Sequence, residues 1–75
     1  MNELKPGLYR HYKGTEYDVI GVARHTETKE KMVVYRARYD SEEFGPKAFW
    51  VRPLAMFTDT VIVNSKHVPR FTRID

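Results

Sequence analysis

The stretch Glu16-Tyr17-Asp18-Val19-Ile20-Gly21-Val22-Ala23-Arg24-His25-Thr26 decides how this chain folds. Valine, isoleucine and tyrosine dominate it, and such side chains suit a pleated, half-buried strand. Read with a period of two, Tyr17, Val19, Gly21 and Ala23 fall on one side and Ile20 and Val22 on the other. Neither side is cleanly polar. A strand that serves both faces and carries a central glycine is strongly bent, with the glycine marking a kink or bulge. Small barrels are built from strands of that kind.

Moving outward, the breaker pair Pro6-Gly7 opens a run from Leu8 to Lys13, and Lys13-Gly14 turns the chain into the bent strand. Downstream, the polar link Thr26–Glu30 leads to Lys31–Tyr39. There Val33, Tyr35, Ala37 and Tyr39 alternate with Val34, Arg36 and Arg38, which places the apolar side inward and the arginines outward. Asp40–Pro46 is acidic, broken by Gly45-Pro46, and reads as a loop. In Lys47–Arg52, Phe49 and Val51 are expected inward, opposite Ala48, Trp50 and Arg52; Pro53 cannot donate to a ladder and ends the run. Leu54–Phe57 suits one helical or 3₁₀ turn that plugs an end of the core. Thr58–Val63, the turn pair Asn64-Ser65 and Lys66–Ile74 read as a terminal hairpin, because asparagine tolerates the positive φ a tight turn needs. Five or six short curved strands with one helical turn predict an all-β domain, a small SH3-like barrel occupying residues 1–75. An OB-like barrel is the second choice, since it needs more chain and a longer helix.

The chain has 75 residues, which leaves room for one core. A doubly wound nucleotide fold, a (β/α)₈ barrel and a large buried active site are excluded. Without cysteine there is no disulfide framework, thiolate nucleophile or Cys-ligated zinc. Aromatic residues make up 13% of the chain, which argues against disorder. A membrane-spanning helix needs about 20 apolar residues, and the longest runs, such as Leu54–Phe57, are far shorter. Met1–Gly7 has no apolar leader region, so the expectation is a cytoplasmic protein with no membrane partner.

The net charge of +3 is carried entirely by residues 47–75, because acids and bases balance over residues 1–46. Lys66, His67, Arg70 and Arg73 form a candidate basic strip for phosphate or for single-stranded nucleic acid. The plain alternative is an edge strand guarded by cations. His11, His25 and His67, with Glu27 and Glu30, lack convergent metal-ligand spacing, so no metal and no cofactor is implied. Ser41 and Ser65 have no local base, and Lys13-Gly14-Thr15 lacks the rest of a phosphate loop. No catalytic residue is assigned, and an enzyme is not expected.

The aromatics are the more informative set. The ten aromatics exceed what so small a core can bury fully, and two or three among Tyr9, Tyr12, Tyr17, Tyr35, Tyr39 and Trp50 are expected to line a groove. Interleaved with Arg10, Arg36, Arg38 and Arg52, they suit a recognition face for a peptide, a methylated lysine or a single strand of nucleic acid. The plain alternative is core and rim packing. Trp50 and Arg52 share a parity and so project to one face; they form the expected centre, with Tyr12, Tyr35 and Arg36 as neighbours. The resulting expectation is a small binding module with a protein or peptide partner favoured. Nucleic-acid binding through the C-terminal third and an oligomerising structural role are the alternatives.

Several segments together resemble a known family: Lys5–Gly14, Tyr17 with Val19–Thr28, Val33–Ala37, Phe49–Leu54 with Met56-Phe57, and Pro69–Phe71 with Ile74. The chain resembles the small bacterial family catalogued as domain of unknown function 1653, over almost its whole length. Its main departure is the segment Arg38–Lys47, which looks longer and more acidic than the family's usual link. The resemblance implies an SH3-like barrel of bacterial origin and brings with it neither an activity nor site residues.

Overall fold

The computed structural model describes residues 4–43 and 45–75; Met1–Glu3, part of the opening read for a leader, and Phe44 of the acidic loop lie outside the described residues. The elements run β1 (Gly7–His11), β2 (Glu16–Arg24), β3 (Lys31–Ala37), β4 (Asp40–Ser41), β5 (Gly45–Pro46), β6 (Phe49–Pro53), α1 (Leu54–Phe57), β7 (Thr60–Val63), β8 (Lys66–Pro69) and β9 (Phe71–Arg73). Five of them form one antiparallel sheet in the order β6-β3-β2-β1-β9. β4 with β5 and β7 with β8 are separate two-stranded ladders.

The mixed pattern of β2 is resolved by a bulge. Tyr17 pairs with Ala37 and Val19 with Tyr35, yet Gly21 pairs with Val34 and Val22 with Val33, so the register slips at Ile20. One extra residue reverses the parity of everything after it. Tyr17 and Val19 before the bulge and Val22 after it therefore all pack on the same core, while Ile20 turns to solvent. An added Cβ at Gly21 would stand in open space; the glycine is not there to avoid a clash.

The core is largely aromatic. Tyr9, Val19, Val33, Tyr35, Phe57 and Phe71 form its centre. Phe57, from the helical turn, stacks on Phe71 of β9 with ring centroids 3.9 Å apart and planes 6° from parallel. Tyr35 and Tyr9 meet Phe57 edge-on at 5.3 and 5.7 Å. Stacked and edge-to-face pairs add to the burial of each ring, which is worth more here than any single aliphatic contact. The turn Leu54–Phe57 thus plugs the core as its composition suggests.

Three expectations need correction. The barrel does not close as a ladder: β6 and β9 remain the two edges of an open sheet. Side chains rather than backbone bridge the gap, with the Arg52 guanidinium carbon 5.7 Å from the centre of the Phe71 ring. The terminal hairpin is also shorter than expected. Asn64 and Ser65 do take positive φ, 50° and 66°, but Thr60 opposite Pro69 is the last pair. Beyond it the Arg70 N–H still donates to the Asp59 carbonyl at 3.1 Å while the Arg70 carbonyl accepts from the Tyr12 N–H at 2.9 Å, so the chain crosses over at Arg70 and Phe71 joins the free edge of β1, where it faces His11. Finally, β6 is turned over. Trp50 lies opposite buried Tyr35 and Arg52 opposite buried Val33, while Phe49 and Val51 are 62% and 61% exposed. Both parities of this run contain large apolar groups. The ring and guanidinium of the Trp50–Arg52 side cover more of the aromatic core, and arginine can bury its stem while its head stays wet.

Candidate functional site

A pocket of about 200 Å³ opens on the core side of the sheet, lined by Tyr17, Tyr35, Tyr39, Trp50 and Arg52. Adjacent strands position its walls: Tyr17 from β2, Tyr35 from β3, Trp50 and Arg52 from β6. Tyr39 comes from just beyond β3. The rings meet edge-on, Tyr17 to Tyr35 at 5.2 Å and Tyr17 to Tyr39 at 5.8 Å. The Tyr17 and Tyr39 hydroxyls lie 3.2 Å apart, and Thr15 donates to the Tyr17 oxygen at 3.3 Å. That hydroxyl pairing, with burial second, holds the Tyr39 phenol up to about 12, so Tyr39 stays neutral and hydrogen-bonding at physiological pH.

Arg52 carries the charge of the pocket. Its Nε donates to the Tyr35 hydroxyl over a long 3.4 Å, and its guanidinium rests over Phe71. The other arginines are engaged differently. Arg10, Arg38 and Arg70 hold carboxylates of Glu16, Asp18 and Asp59, and Arg24, Arg36 and Arg73 donate to backbone carbonyls. Among the described residues, Arg52 forms no ion pair and no bond to a backbone carbonyl, though its field reaches Asp59, which Arg70 holds. Nearby positive charge is dense: burial first, then the fields of Arg52, Arg70 and Lys13, push the His11 imidazole below its ordinary value.

The residues singled out by sequence separate into groups. Trp50, Arg52 and Tyr35 come together, joined by Tyr17 and Tyr39, two of the aromatics considered for a groove. Tyr12 stands apart, against His11 at 4.5 Å. Arg36 faces the other side of β3, lining a second pocket of about 170 Å³ with Asp18, Ala37, Arg38 and Lys47. The basic strip is dispersed. Lys66 and His67 sit exposed on the β7–β8 hairpin. Arg70 grips Asp59 through two contacts of 2.7 and 3.3 Å, and Arg73 turns back to the Pro6 carbonyl at 3.3 Å. Parity with Val19 and Tyr35 was the available signal for Tyr17 and Tyr39. His25 sits in the β2–β3 turn, where its Nδ1 accepts the Glu27 N–H at 3.1 Å. Among the described residues no cluster of three metal-ligating side chains forms.

Fold and pocket together define a small, mostly β domain with an aromatic–arginine cleft; no helix among its described residues is long and apolar enough to cross a membrane. The family model described as "Protein of unknown function (DUF1653)" matches residues 7–73, and the chain belongs to that family. The fold is similar to the crystal structure of a DUF1653 protein from Bordetella bronchiseptica, with 37% identity over 95% of this chain and 87% of that one and a TM-score of 0.84. No match is found among curated proteins.

Proposed function

We propose that this protein is a non-enzymatic binding module, an SH3-like barrel whose Trp50–Arg52 pocket receives a carboxylate-bearing side chain of a peptide or protein partner. The strand order β6-β3-β2-β1-β9, with a helical turn before the last strand, supports the barrel reading, since it curls a single meander and returns its final strand beside the first. The observation that carries the binding reading is Arg52. A guanidinium framed by Tyr35 and Phe71 at an aromatic cleft, with the nearby Asp59 carboxylate already held by Arg70, is a ready site for a charge-assisted bond from an incoming acid. Tyr17, Tyr39 and Trp50 supply rigid area and polar handles of the sort that anchor interfaces. The reading through the basic C-terminal strip draws less support, because Arg70 and Arg73 are both held within the fold.

Trp50 is the single tryptophan, so its fluorescence reports the pocket directly. Short acidic peptides should give a saturable fluorescence change that weakens with salt, and basic peptides of the same length should not. Arg52→Gln should weaken the acidic series by about ten-fold or more, as loss of a charged hydrogen bond does. Equal binding by Arg52→Gln, or a response only to single-stranded nucleic acid, would refute the assignment.

A further inference from the structure

We propose that β6 is a docking edge on which an extended, acidic segment of a partner protein adds as a sixth strand of the sheet. This inference rests on the pocket reading and deepens it, by saying in what conformation the partner arrives and what else it must touch.

The Ala37 N–H donates to the Ala48 carbonyl at 2.9 Å, and the register continues with Tyr35 opposite Trp50 and Val33 opposite Arg52. In an antiparallel ladder, hydrogen-bonded pairs alternate with non-bonded ones. Ala48, Trp50 and Arg52 therefore spend their backbone groups on β3, while the N–H and C=O groups of Phe49 and Val51 point off the sheet. Pro53 has the same outward parity, where its missing N–H leaves β3 unaffected. β6 is an edge of the sheet, so this row of donors and acceptors has the spacing that an added strand requires.

The side chains specify what kind of strand. Natural edges are usually blunted by outward charges, proline or cover, yet β6 sends Phe49 and Val51 into solvent. An incoming strand with apolar residues at alternate positions would cover them. Its other residues would fall on the core side, beside Trp50 and Arg52 at the mouth of the pocket. Every charged residue of β3 and β6 is cationic (Lys31, Arg36 and Arg52), and so is Lys47 just before β6. Arg36 lies 5.1 Å from the centre of the Phe49 ring. Arg52 stands on the core side, so the residues that fall there are expected to be acidic, while Phe49 and Val51 on the other side call for apolar ones. The cationic charge also disfavours a second copy of this chain, whose own β6 would bring the same cations to the same edge.

The test uses the intact protein and a short blocked peptide alternating valine and glutamate. Three comparison peptides accompany it: one with lysine for glutamate, and two N-methylated on alternate amides, one for each set, because only one set faces β6. Amide hydrogen exchange is followed at Phe49 and Val51 along with Trp50 fluorescence. The valine–glutamate peptide should slow exchange at Phe49 and Val51 by about ten-fold or more at saturation. The lysine peptide and one of the two N-methylated peptides should not bind. The wild-type protein suffices for these measurements, and Arg52→Gln, checked for a wild-type melting temperature, enters only to separate edge docking from the pocket reading. Unchanged exchange, or full affinity for both N-methylated peptides, overturns edge docking; if Arg52→Gln still abolishes the fluorescence response, the pocket reading survives alone. Slowed exchange that Arg52→Gln leaves intact would instead keep the docking edge and remove the pocket reading. Concentration-dependent protection of the same amides without peptide would assign the edge to a second copy and overturn the proposal.

Discussion

At one edge of the sheet, β9 is three residues long, sends Thr72 and Arg73 to solvent, and is zipped firmly onto β1. The Leu8 N–H donates to the Asp75 carbonyl at 2.9 Å, the Ile74 N–H donates to the Leu8 carbonyl at 2.8 Å, and Arg73 folds over Pro6. Gly7 makes this closure possible: its φ is +143°, and an added Cβ would collide with the Asp75 carbonyl oxygen and press on the Arg73 guanidinium. At the other edge, β6 is longer and carries two exposed apolar side chains. One sheet thus has one finished edge and one open edge. Small β domains guard edges against uncontrolled pairing, so an edge left open beside an aromatic–arginine cleft is where binding is to be sought.

The comparison can be broken most severely at what the two edges share. Phe57 is 1% exposed, stacks on Phe71 of β9 and belongs to the turn that leaves β6. Phe57→Ala should cost about 3–5 kcal/mol, enough to lower the melting temperature by tens of degrees at roughly 4–8 °C per kcal/mol. A thermal melt within a few degrees of wild type would show that the edges do not depend on a common plug. Gly7→Ala acts on the finished edge alone. It should cost about 1–3 kcal/mol, the usual range for strained backbone, and speed amide exchange at Leu8 and Ile74 while leaving β6 unchanged. Tyr35→Phe acts on the open side, removing the hydroxyl that accepts from Arg52. A loss of about 0.5–1.5 kcal/mol in urea unfolding is expected, and a gain in stability would show that Arg52 does not rely on it.

A smaller effect concerns pH. Because His11 is held below its ordinary value of 6.5, the unfolded chain takes up the proton first as pH falls. Stability should therefore decline as pH drops through about 6.5 and level off once the folded imidazole is also charged. His11→Gln should flatten that slope in pH-dependent melts; an unaltered slope would assign the titration elsewhere. The smallest change should come from Phe49→Thr with Val51→Thr, within about 0.5 kcal/mol because both side chains are exposed. That pair should nonetheless weaken binding of the valine–glutamate peptide, and indifference would mark the open edge as inert.

Much of this architecture was legible in particular residues. The alternation of Lys31–Tyr39 gave the core side of β3 without ambiguity, and Gly21 marked the bulge that lets Tyr17, Val19 and Val22 share one face. Asn64-Ser65 located a tight turn. What remained hidden was decided by partners distant in sequence. Phe49-Trp50-Val51-Arg52 is apolar at both parities, so only its pairing with Val33 and Tyr35 could say which side faces in. The crossover at Arg70 depends on β7 ending at Thr60 and on a free edge at β1, neither of which is written in Lys66–Ile74. Of the candidate site, Trp50, Arg52 and Tyr35 were legible together because parity and ladder both link them. Tyr12 and Arg36 went elsewhere because nearness in composition is not nearness on a face.

The Asp59–Arg70 pair at the foot of the β7–β8 hairpin also bears on how the chain assembles. Tyr9 pairs with Arg73 across almost the whole sequence, and bringing such distant segments together is entropically slow. The hairpin, with its tight turn, can form within microseconds, and it returns Arg70 to Asp59 and Phe71 to Phe57 as a purely local event. The last strand then reaches β1 as part of a preformed unit that already carries its helical turn. The long-range step becomes the docking of one nucleus on a four-stranded meander, so an arm that adds little to the core shortens the search that completes it.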